Sequence, residues 1–555
     1  MLNIIPLGGL GEIGLNMMVF ESDDTIFVVD AGLMFPEDYM LGVDIVIPDM
    51  DYLIQRKSKV AGIVLTHAHE DHIGALPYLL REIDAPVFGT PFTLGMVRAK
   101  LEAHDLLSAT SLYEINPRER LKIGVFDLEF IRVSHSVVDG VGIAIRTPEG
   151  VVVHTGDFKM GRTIMDSMMT DVNKFAQYGE EGVLALLSDS TNVEREGYTT
   201  AAHEIGETLT HIAAGCKGRI IVALFASNIG RIQQIVNIAA ARGSKVLFNG
   251  RSIENSVAIA RDLGYIDIPD GLEITLEQIN NYPDNQIMMI TTGSQGEPLS
   301  VLARVAAGQH KQLKIRDGDT VILSSKFIPG NERAIGKIIN NLYRKGANVI
   351  YEKISDVHVS GHAFQEELKL MINLVKPKYF VPIHGEYRHL VLHARLAGQS
   401  GIPEDHILLV ENGGTIAFDE GRGSVGEPVT TGRMLVDGKG VGDVGSSVLR
   451  HRRKLSEEGM VVVNLIFDAD TGAIVHGPEI VSRGFVFEFD LGHLLDEARA
   501  VIREVVETIA VETEERMPRI QSGVQSALRR HFSLAIRRKP VIICLATEIP
   551  APTLD

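Results

Sequence analysis

The chain has 555 residues, 45% of them hydrophobic, and a formal charge of −18 at neutral pH; it should form three or four globular domains with full cores, which excludes disordered and fibrous classes. The acidic balance argues against broad charge-driven affinity for nucleic acid and leaves only local basic channels. Two distant cysteines, Cys216 and Cys544, and an N-terminus Met1-Leu2-Asn3-Ile4-Ile5-Pro6 without a basic, then apolar, leader point to a cytoplasmic protein with no membrane span, disulfide or thiolate metal site.

Short β-type runs open the chain: Met17 to Phe20, Thr25 to Asp30, Ile63 to Thr66, Phe126 to Val133, Gly142 to Arg146 and Val151 to His154. Helical stretches intervene after His72 and from Phe92 to His104, so residues 1–188 read as an α/β sandwich with its loops gathered at one edge. From 189 to 355 the rhythm changes. Strands (Arg219 to Leu224, Lys245 to Phe248, Gln286 to Thr291, Asp319 to Ser324) alternate with helices (Gly230 to Arg242, Ile253 to Leu263, Glu297 to Ala307, Glu332 to Lys345), the signature of an inserted parallel-sheet domain. The first style resumes over 356–420, where a strand from Lys378 to Pro382 precedes the loop Ile383-His384-Gly385-Glu386 and a helix from Tyr387. Glycine-rich Asp419 to Gly445 suggests a linker over 421–450. A small α/β module over 451–555 is expected from strands at Val461 to Phe467, Phe485 to Phe489 and Val541 to Ala546, and from helices at Leu491 to Val511 and Ile520 to Phe532. Two basic patches, Arg450-His451-Arg452-Arg453-Lys454 and Arg529-Arg530 with Arg537-Arg538-Lys539, suit RNA contact or a solvated face equally.

The chemistry concentrates in Thr66-His67-Ala68-His69-Glu70-Asp71-His72, which places three imidazoles and a carboxylate directly after the apolar run Ile63-Val64-Leu65. A strand ending in a tight loop can turn His67 and His69 toward one metal ion while Asp71 and His72 face a second; neutral imidazoles and carboxylates hold such ions without thiolates. Strand ends deliver further donors: His135 in Val133-Ser134-His135-Ser136, Asp157 in His154-Thr155-Gly156-Asp157-Phe158-Lys159, and His384. Alone, His135 reads as a strand-end histidine and Asp157 as a turn residue. As a set they fit a two-cation site in which Asp157 bridges.

These residues, with Asp30 in Val28-Val29-Asp30-Ala31-Gly32, resemble the motif series of the metallo-β-lactamase superfamily. The inserted domain resembles a β-CASP domain. Ser188-Asp189-Ser190-Thr191-Asn192 is similar to its acidic motif, Ser360-Gly361-His362-Ala363 to its histidine motif, and Pro382-Ile383-His384-Gly385-Glu386 to its last motif. Among β-CASP nucleases, the opening Pro6-Leu7-Gly8-Gly9-Leu10-Gly11-Glu12-Ile13-Gly14, the segment His358 to Ala363 and the C-terminal module are similar to the bacterial ribonuclease J family.

The resemblance implies an αββα sandwich in two parts (1–188 and 356–420), an inserted β-CASP domain (189–355) and a C-terminal α/β domain for oligomerisation (451–555). It implies two zinc ions, in some members manganese, on His67, His69, Asp71, His72, His135, Asp157 and His384, and a metal-dependent ribonuclease acting 5′ to 3′ on 5′-monophosphorylated single-stranded RNA and also internally. Two cations would acidify a shared water and clamp the phosphoryl oxygens, with Asp71 orienting that water or taking its proton. His362 is expected to contact the scissile phosphate and protonate the leaving 3′ oxygen, or else to be a supporting histidine. Asp189 is expected to orient a ligand histidine, with Glu386 a weaker candidate for the same task. The implied monophosphate pocket falls on Ser227 and Asn228, in Phe225-Ala226-Ser227-Asn228-Ile229-Gly230-Arg231, and on His358, Val359, Ser360, Gly361 and His362. Plain helix capping explains Ser227 and Asn228 as well. Thr292-Gly293-Ser294-Gln295-Gly296-Glu297 lacks the lysine of a P-loop, so ATP binding is not expected.

Three alternatives share parts of this pattern. A small-molecule metallohydrolase would need neither the insertion nor Ser360 to Ala363; a DNA-directed β-CASP nuclease keeps the architecture, since 2′-hydroxyl contacts have no motif; a scaffold that has lost its metals would lack some of the seven donors. Apolar residues at Leu494, Leu495, Ala498, Val501, Ile502, Val505 and Val506 form a broad helical stripe that core packing would bury. Family resemblance implies homodimers, sometimes tetramers, and leaves open whether other RNA-decay enzymes associate.

Overall fold

Runs of β-branched and aromatic residues build two sheets whose inner faces are apolar, and these organise the larger of two units, Met1–Phe35 with Val46–Met434. The second unit is Pro36–Ile45 with Leu435–Asp555. The computed structural model describes residues 1–161, 168–297, 300–325, 331–355, 357, 360–438, 440–485, 491–509 and 515–549.

The larger sheet of the first unit has eight strands, in the order Arg422–Val425, Ile416–Asp419, Leu2–Gly8, Met17–Ser22, Thr25–Val29, Val60–Val64, Val87–Gly89 and Leu112–Glu114. The smaller has six: Pro377–Ile383, Val183–Asp189, Gly150–His154, Val141–Thr147, Phe126–Arg132 and Arg120–Ile123. Between them Phe20 stacks on Phe27 at 4.9 Å, and Phe126 of the opposite sheet meets Phe27 edge-on at 4.8 Å, in a core shared with Ile4, Phe130, Ile143, Val381 and Phe418. Helices Val172–Glu181, Gln365–Val375 and Tyr387–Gln399 cover the outer side of the smaller sheet through Phe175, Tyr178, Leu368, Met371 and Leu396. Helix Pro91–Ala103 packs beside Val87–Gly89 and Leu112–Glu114. This is the expected αββα layering.

The insertion leaves the six-stranded sheet after Asp189 and returns at Pro377. Those two strands run side by side in parallel, with Ser188 opposite Pro382 and Asp189 opposite Ile383, so both ends of the insertion reach the same edge of the sandwich. Its own sheet is wholly parallel, in the order Lys245–Asn249, Ile287–Thr291, Ile220–Ala223, Thr320–Leu323 and Asn348–Ile350. Helices Ile229–Arg242, Arg251–Asp262, Val301–Ala307 and Glu332–Arg344 alternate with the strands. The strand Ile287–Thr291 is buried at every position, as a sheet covered on both faces requires.

Several elements depart from the expectations. Strands Leu2–Gly8 and Val183–Asp189 and helix Ala202–Gly215 are additional. Val183-Leu184-Ala185-Leu186-Leu187 is a continuous apolar run whose period cannot distinguish a strand from a buried helix, and Pro6 interrupts the first strand. The stretch Asp419 to Gly445, read as a connection, carries strands Arg422–Val425 and Arg433–Asp437, the first paired antiparallel with Ile416–Asp419. Arg422–Val425 is an edge strand, so it needs no apolar alternation to hold its place.

In the second unit strand Met460–Asp468 pairs antiparallel with Ile474–Arg483 and parallel with Val541–Ile549. Helices Leu491–Glu507 and Arg516–Ile536 cover one face, burying Ala498, Ile502, Val524, Leu528 and Phe532 against Val461, Val463, Leu465 and Phe467. The helical stripe is therefore core. Strand Ile474–Arg483 was not anticipated because Gly477-Pro478 breaks its pattern; of the expected strand Phe485 to Phe489, residues 486–489 lie outside the described residues. Among the described residues no helix is long and apolar enough to cross a membrane.

Candidate metal centre

Strand ends of both sheets converge on one point. Val60–Val64 runs into Leu65, Thr66 and His67, and His69 caps a short helix, Glu70–Ile73, that holds Asp71 and His72 in its first turn. Asp30, just past strand Thr25–Val29, accepts from the Thr66 N–H and hydroxyl at 2.8 Å each and lies 2.7 Å from His72 Nδ1. That contact fixes the ring and leaves Nε2 facing inward. His135 and Asp157 follow strands Phe126–Arg132 and Gly150–His154, and His384 follows Pro377–Ile383 with φ of 52°. A left-handed backbone at a non-glycine residue is unfavourable and is kept here where a side chain must reach the site.

All seven expected donors come together. His69 Nδ1 lies 3.0 Å from His67 Nε2 and 3.1 Å from His135 Nε2. Asp157 Oδ2 stands 3.6 and 3.7 Å from the Nε2 atoms of His67 and His135, and 3.3 and 3.2 Å from those of His72 and His384. Asp71 Oδ2 is 3.7 Å from His72 Nε2 and 3.6 Å from His384 Nε2. The seven donors fall into two sets, His67, His69 and His135 with Asp157, and Asp71, His72 and His384, with the Asp157 oxygen in reach of both; Asp157, Asp189 and His362 form a third close group beside them. Nitrogens around one tetrahedral cation at 2.0–2.1 Å would be about 3.3 Å apart, close to the spacing of the first set. His384 Nε2 is buried without a hydrogen bond, as a donor awaiting a cation would be. The sets therefore fit divalent metal ions, and their imidazole and carboxylate chemistry accepts zinc and manganese alike.

Charge supports the same reading. Burial pushes the His67 and His135 imidazoles well below the ordinary range and His69 down to about 4. Burial acts likewise on His72 and His384, but Asp157 and Asp30 hold His72 well above its usual value and Asp157 lifts His384 to about 9. Burial would raise Asp157; the His384, His72 and His67 imidazoles instead keep it far below the carboxylate range. Positive charge is favoured around Asp157, and cations can supply it in place of protons.

His135 Nδ1 lies 2.8 Å from the Gly361 carbonyl, leaving Nε2 for the cluster. His362 Nδ1 lies 2.8 Å from Asp189 Oδ2. Burial lowers the His362 imidazole, but the Asp189 carboxylate outweighs it and raises it. Asp189 thus pairs with His362 rather than with a ligand histidine, because its strand ends beside the returning chain and not beside the His67 to His72 loop. Ser360 Oγ accepts from Asn192 Nδ2 and, at 3.2 Å, from the His362 N–H. Glu386 orients no ligand: it caps helix Tyr387–Gln399 and pairs with Arg388. Asn228 caps helix Ile229–Arg242, accepting from the Arg231 N–H at 3.0 Å, and Ser227 precedes it half-buried. His358 and Val359 lie outside the described residues.

A cavity of about 70 Å³ borders the cluster, lined by His135, Ser136, Lys159, Asn228, Gly230 and Arg231 among others. Burial, then the neighbouring Arg231, pushes the Lys159 ammonium down to about 8, and burial brings Arg231 to about 10. Sequence reasoning assigned no role to Lys159 or Arg231, nor to Asn16, which donates to the Asp71 carbonyl at 3.0 Å, nor to Ser136, whose Oγ lies 3.2 Å from His69 Nε2. Lys159 and Arg231 sit inside segments that drew attention, but a lone cation past a strand end or in the first turn of a helix carries no sign that it is buried.

Comparison with known proteins covers the same ground. The family model of the metallo-beta-lactamase superfamily matches residues 10–166, that of the ribonuclease J beta-CASP domain 217–342, that of the Zn-dependent metallo-hydrolase RNA specificity domain 346–407, and that of the ribonuclease J C-terminal domain 447–549. Ribonuclease J2 of Bacillus subtilis is 43% identical over 547 residues, 98% of each chain. Ribonuclease J 1 of Streptococcus pyogenes is 41% identical over 97% of this chain and 96% of its own, and ribonuclease J 2 of Staphylococcus aureus 40% over 99% and 98%. A solved structure from Enterococcus faecalis, of a protein of unknown function, shares the fold over 76% of this chain and 99% of its own, with a TM-score of 0.52 and 16% identity. With four domain models in one chain order and 40% or more identity over nearly the full length of these relatives, the chain belongs to the ribonuclease J family.

Proposed function

We propose that this chain is a metal-dependent ribonuclease that hydrolyses RNA phosphodiesters with two divalent cations per subunit, zinc or manganese. It removes nucleotides 5′ to 3′ from 5′-monophosphorylated RNA and also cleaves internally, in RNA maturation and decay. The observation that carries this reading is the Asp157 oxygen, 3.2 to 3.7 Å from four imidazole nitrogens of the two donor sets. The relatives named as ribonucleases and the match to an RNA specificity domain favour RNA over other phosphodiesters.

Bound cations would supply an acidified water and relieve charge on the phosphoryl oxygens. The protein's own groups do the rest. Asp71, on the half-exposed side of the cluster, accepts a proton from the attacking water or orients it. Asp189 holds His362 through Nδ1, so Nε2 is free to donate a proton to the leaving 3′ oxygen. Ser360, Gly361 and the first turn of helix Ile229–Arg242, with Ser227 and Asn228, border the path of the RNA backbone. Residues 451–555 assemble the chain as a homodimer, so sedimentation of the full chain should give a dimer, and of a chain ending at 450 a monomer with little activity.

The test uses RNA labelled at its 3′ end and bearing a 5′-monophosphate or 5′-triphosphate, beside matching single-stranded DNA. Stepwise shortening of the monophosphorylated RNA, lost in His69→Ala, is expected. Cleavage of DNA alone would move the activity to a DNA nuclease, and no cleavage with any divalent metal would sink the reading.

A further inference from the structure

Glu367 is a fully buried carboxylate that belongs to none of the donor sets, yet its hydrogen bonds join three loops of the centre. Its Oε1 accepts from the Met160 N–H at 2.9 Å and the Thr199 hydroxyl at 2.8 Å. Its Oε2 accepts from the Thr199 N–H at 3.0 Å and the Phe364 N–H at 2.9 Å. These donors fill the acceptor sites of one carboxylate. Met160 follows closely on Asp157, Phe364 follows closely on His362, and Thr199 lies on the stretch that leaves Asp189 and enters helix Ala202–Gly215.

The Phe364 bond is the one a glutamate in the first turn of helix Gln365–Val375 makes as a cap. The bonds to Met160 and Thr199 leave the helix, and capping does not need them. Main-chain bonds run alongside: Ala363 N donates to the Phe158 carbonyl at 2.7 Å, Gln365 N to that of Arg195 at 2.9 Å and Glu366 N to that of Gly197 at 3.1 Å. Asn192 Nδ2 donates to the His362 carbonyl at 3.2 Å. The segment that carries His362 is thus held between the loop past Asp157 and the loop past Asp189, with Glu367 bonded to both. The Glu367 charge also favours the buried Lys159 ammonium, beside Met160. Because the His362 ring rests on Asp189 at 2.8 Å, any slip between these loops displaces the ring from Asp157.

We propose that Glu367 is a positioning residue for RNA hydrolysis: by tying the loops past Asp157 and Asp189 to the segment that carries His362, it fixes where His362 stands relative to the cation sites. This deepens the ribonuclease reading and rests on it for the reaction, not for the clamp itself. In Glu367→Gln one oxygen becomes an NH2 group, which cannot face an N–H. At the Oε2 place it would meet two backbone N–H groups. At the Oε1 place it meets one, and the Thr199 hydroxyl can turn to accept from it. The NH2 group therefore takes the Oε1 place, and Met160 loses its bond while Thr199 and Phe364 keep theirs. Thr199→Val removes the hydroxyl bond and leaves Met160 held, so the two variants together isolate the tie to the Asp157 loop.

The experiment compares full-length wild type with Glu367→Gln, Glu367→Asp and Thr199→Val. Each is measured for kcat and KM on RNA per protein loaded with cations, for cation stoichiometry by calorimetry, and for amide hydrogen exchange at Met160 and over 360–364. Glu367→Gln should bind as many cations as wild type and keep its KM, while kcat falls about tenfold or more and exchange at Met160 and over 360–364 quickens by a similar factor. Thr199→Val should keep most of the wild-type kcat. A kcat per loaded protein within about twofold of wild type in Glu367→Gln, or a loss that follows cation stoichiometry alone, would overturn the proposal. If the wild type cleaves no RNA the ribonuclease reading fails, and the exchange arm still decides the clamp: unaltered exchange in Glu367→Gln overturns it. Should Glu367→Gln fail to fold, Glu367→Asp takes its place, where a lowered kcat with full cation binding supports the proposal and a wild-type kcat overturns it.

Discussion

A β-carbon on residue 361 would stand 2.5 Å from His135 Cε1, so glycine is what lets the backbone carbonyl reach the His135 ring. Gly361→Ala should displace His135 while leaving the core intact, lowering RNA cleavage by a factor on the order of 10² with a thermal midpoint near wild type. Cleavage within twofold of wild type would show that the His135 contact is dispensable. His393 offers a test by pH. It is fully buried, its ring 4.8 Å from that of Phe380 and its Nδ1 3.0 Å from Ser190 Oγ, and burial pushes it from 6.5 down to about 3. Its neutral form therefore contributes stability that is full above pH 6.5 and lost as pH falls toward 3, about 2 kcal/mol of it by pH 5. His393→Gln should flatten the denaturation midpoint over that interval; an unchanged slope would locate the acid sensitivity elsewhere. At this scale His67 to His72 were legible because three imidazoles and a carboxylate in six positions serve few ends besides metal binding. Asp30 and Gly361 were picked out only through the resemblance, without their supporting contacts, and Lys159 not at all, since these roles depend on partners 36 or more positions away or on burial.

Among elements, the parallel pairing of Val183–Asp189 with Pro377–Ile383 does most to form the site, because it sets Asp189 beside the returning loop that carries His384. The alternation of strands and helices made the insertion readable, but continuous apolar runs hid the strand where it begins. The inserted sheet is pinned at one end by a buried ion pair, Arg219 Nε to Asp319 Oδ1 at 2.9 Å, with Arg219 Nη2 also donating to the Lys314 carbonyl at 2.8 Å. Arg219→Met leaves the Asp319 charge buried and unpaired, which should destabilise the inserted domain by about 3–5 kcal/mol. Denaturant unfolding followed by hydrogen exchange at Ile287–Thr291 measures it, and a loss below about 1 kcal/mol would mean that Asp319 finds water or another partner.

For the whole molecule, strands from distant parts of the sequence end at one edge of the sandwich, and nearly every chemically useful side chain of the centre lies just past a strand end. That arrangement explains why strand-end histidines could be collected from the sequence before their distances were known. It also explains what stayed hidden: the cavity and the Asp189–His362 pair arise from tertiary packing, which leaves no periodic trace. The central claim is that one carboxylate, Asp157, is shared by two cation sites. Cation titration of metal-free protein, followed by calorimetry and elemental analysis, tests it most directly. Wild type should bind two equivalents of zinc or manganese, His135→Ala should keep one tight equivalent, and Asp157→Asn should weaken both by at least tenfold. Two tight equivalents retained in Asp157→Asn would contradict the shared-carboxylate account.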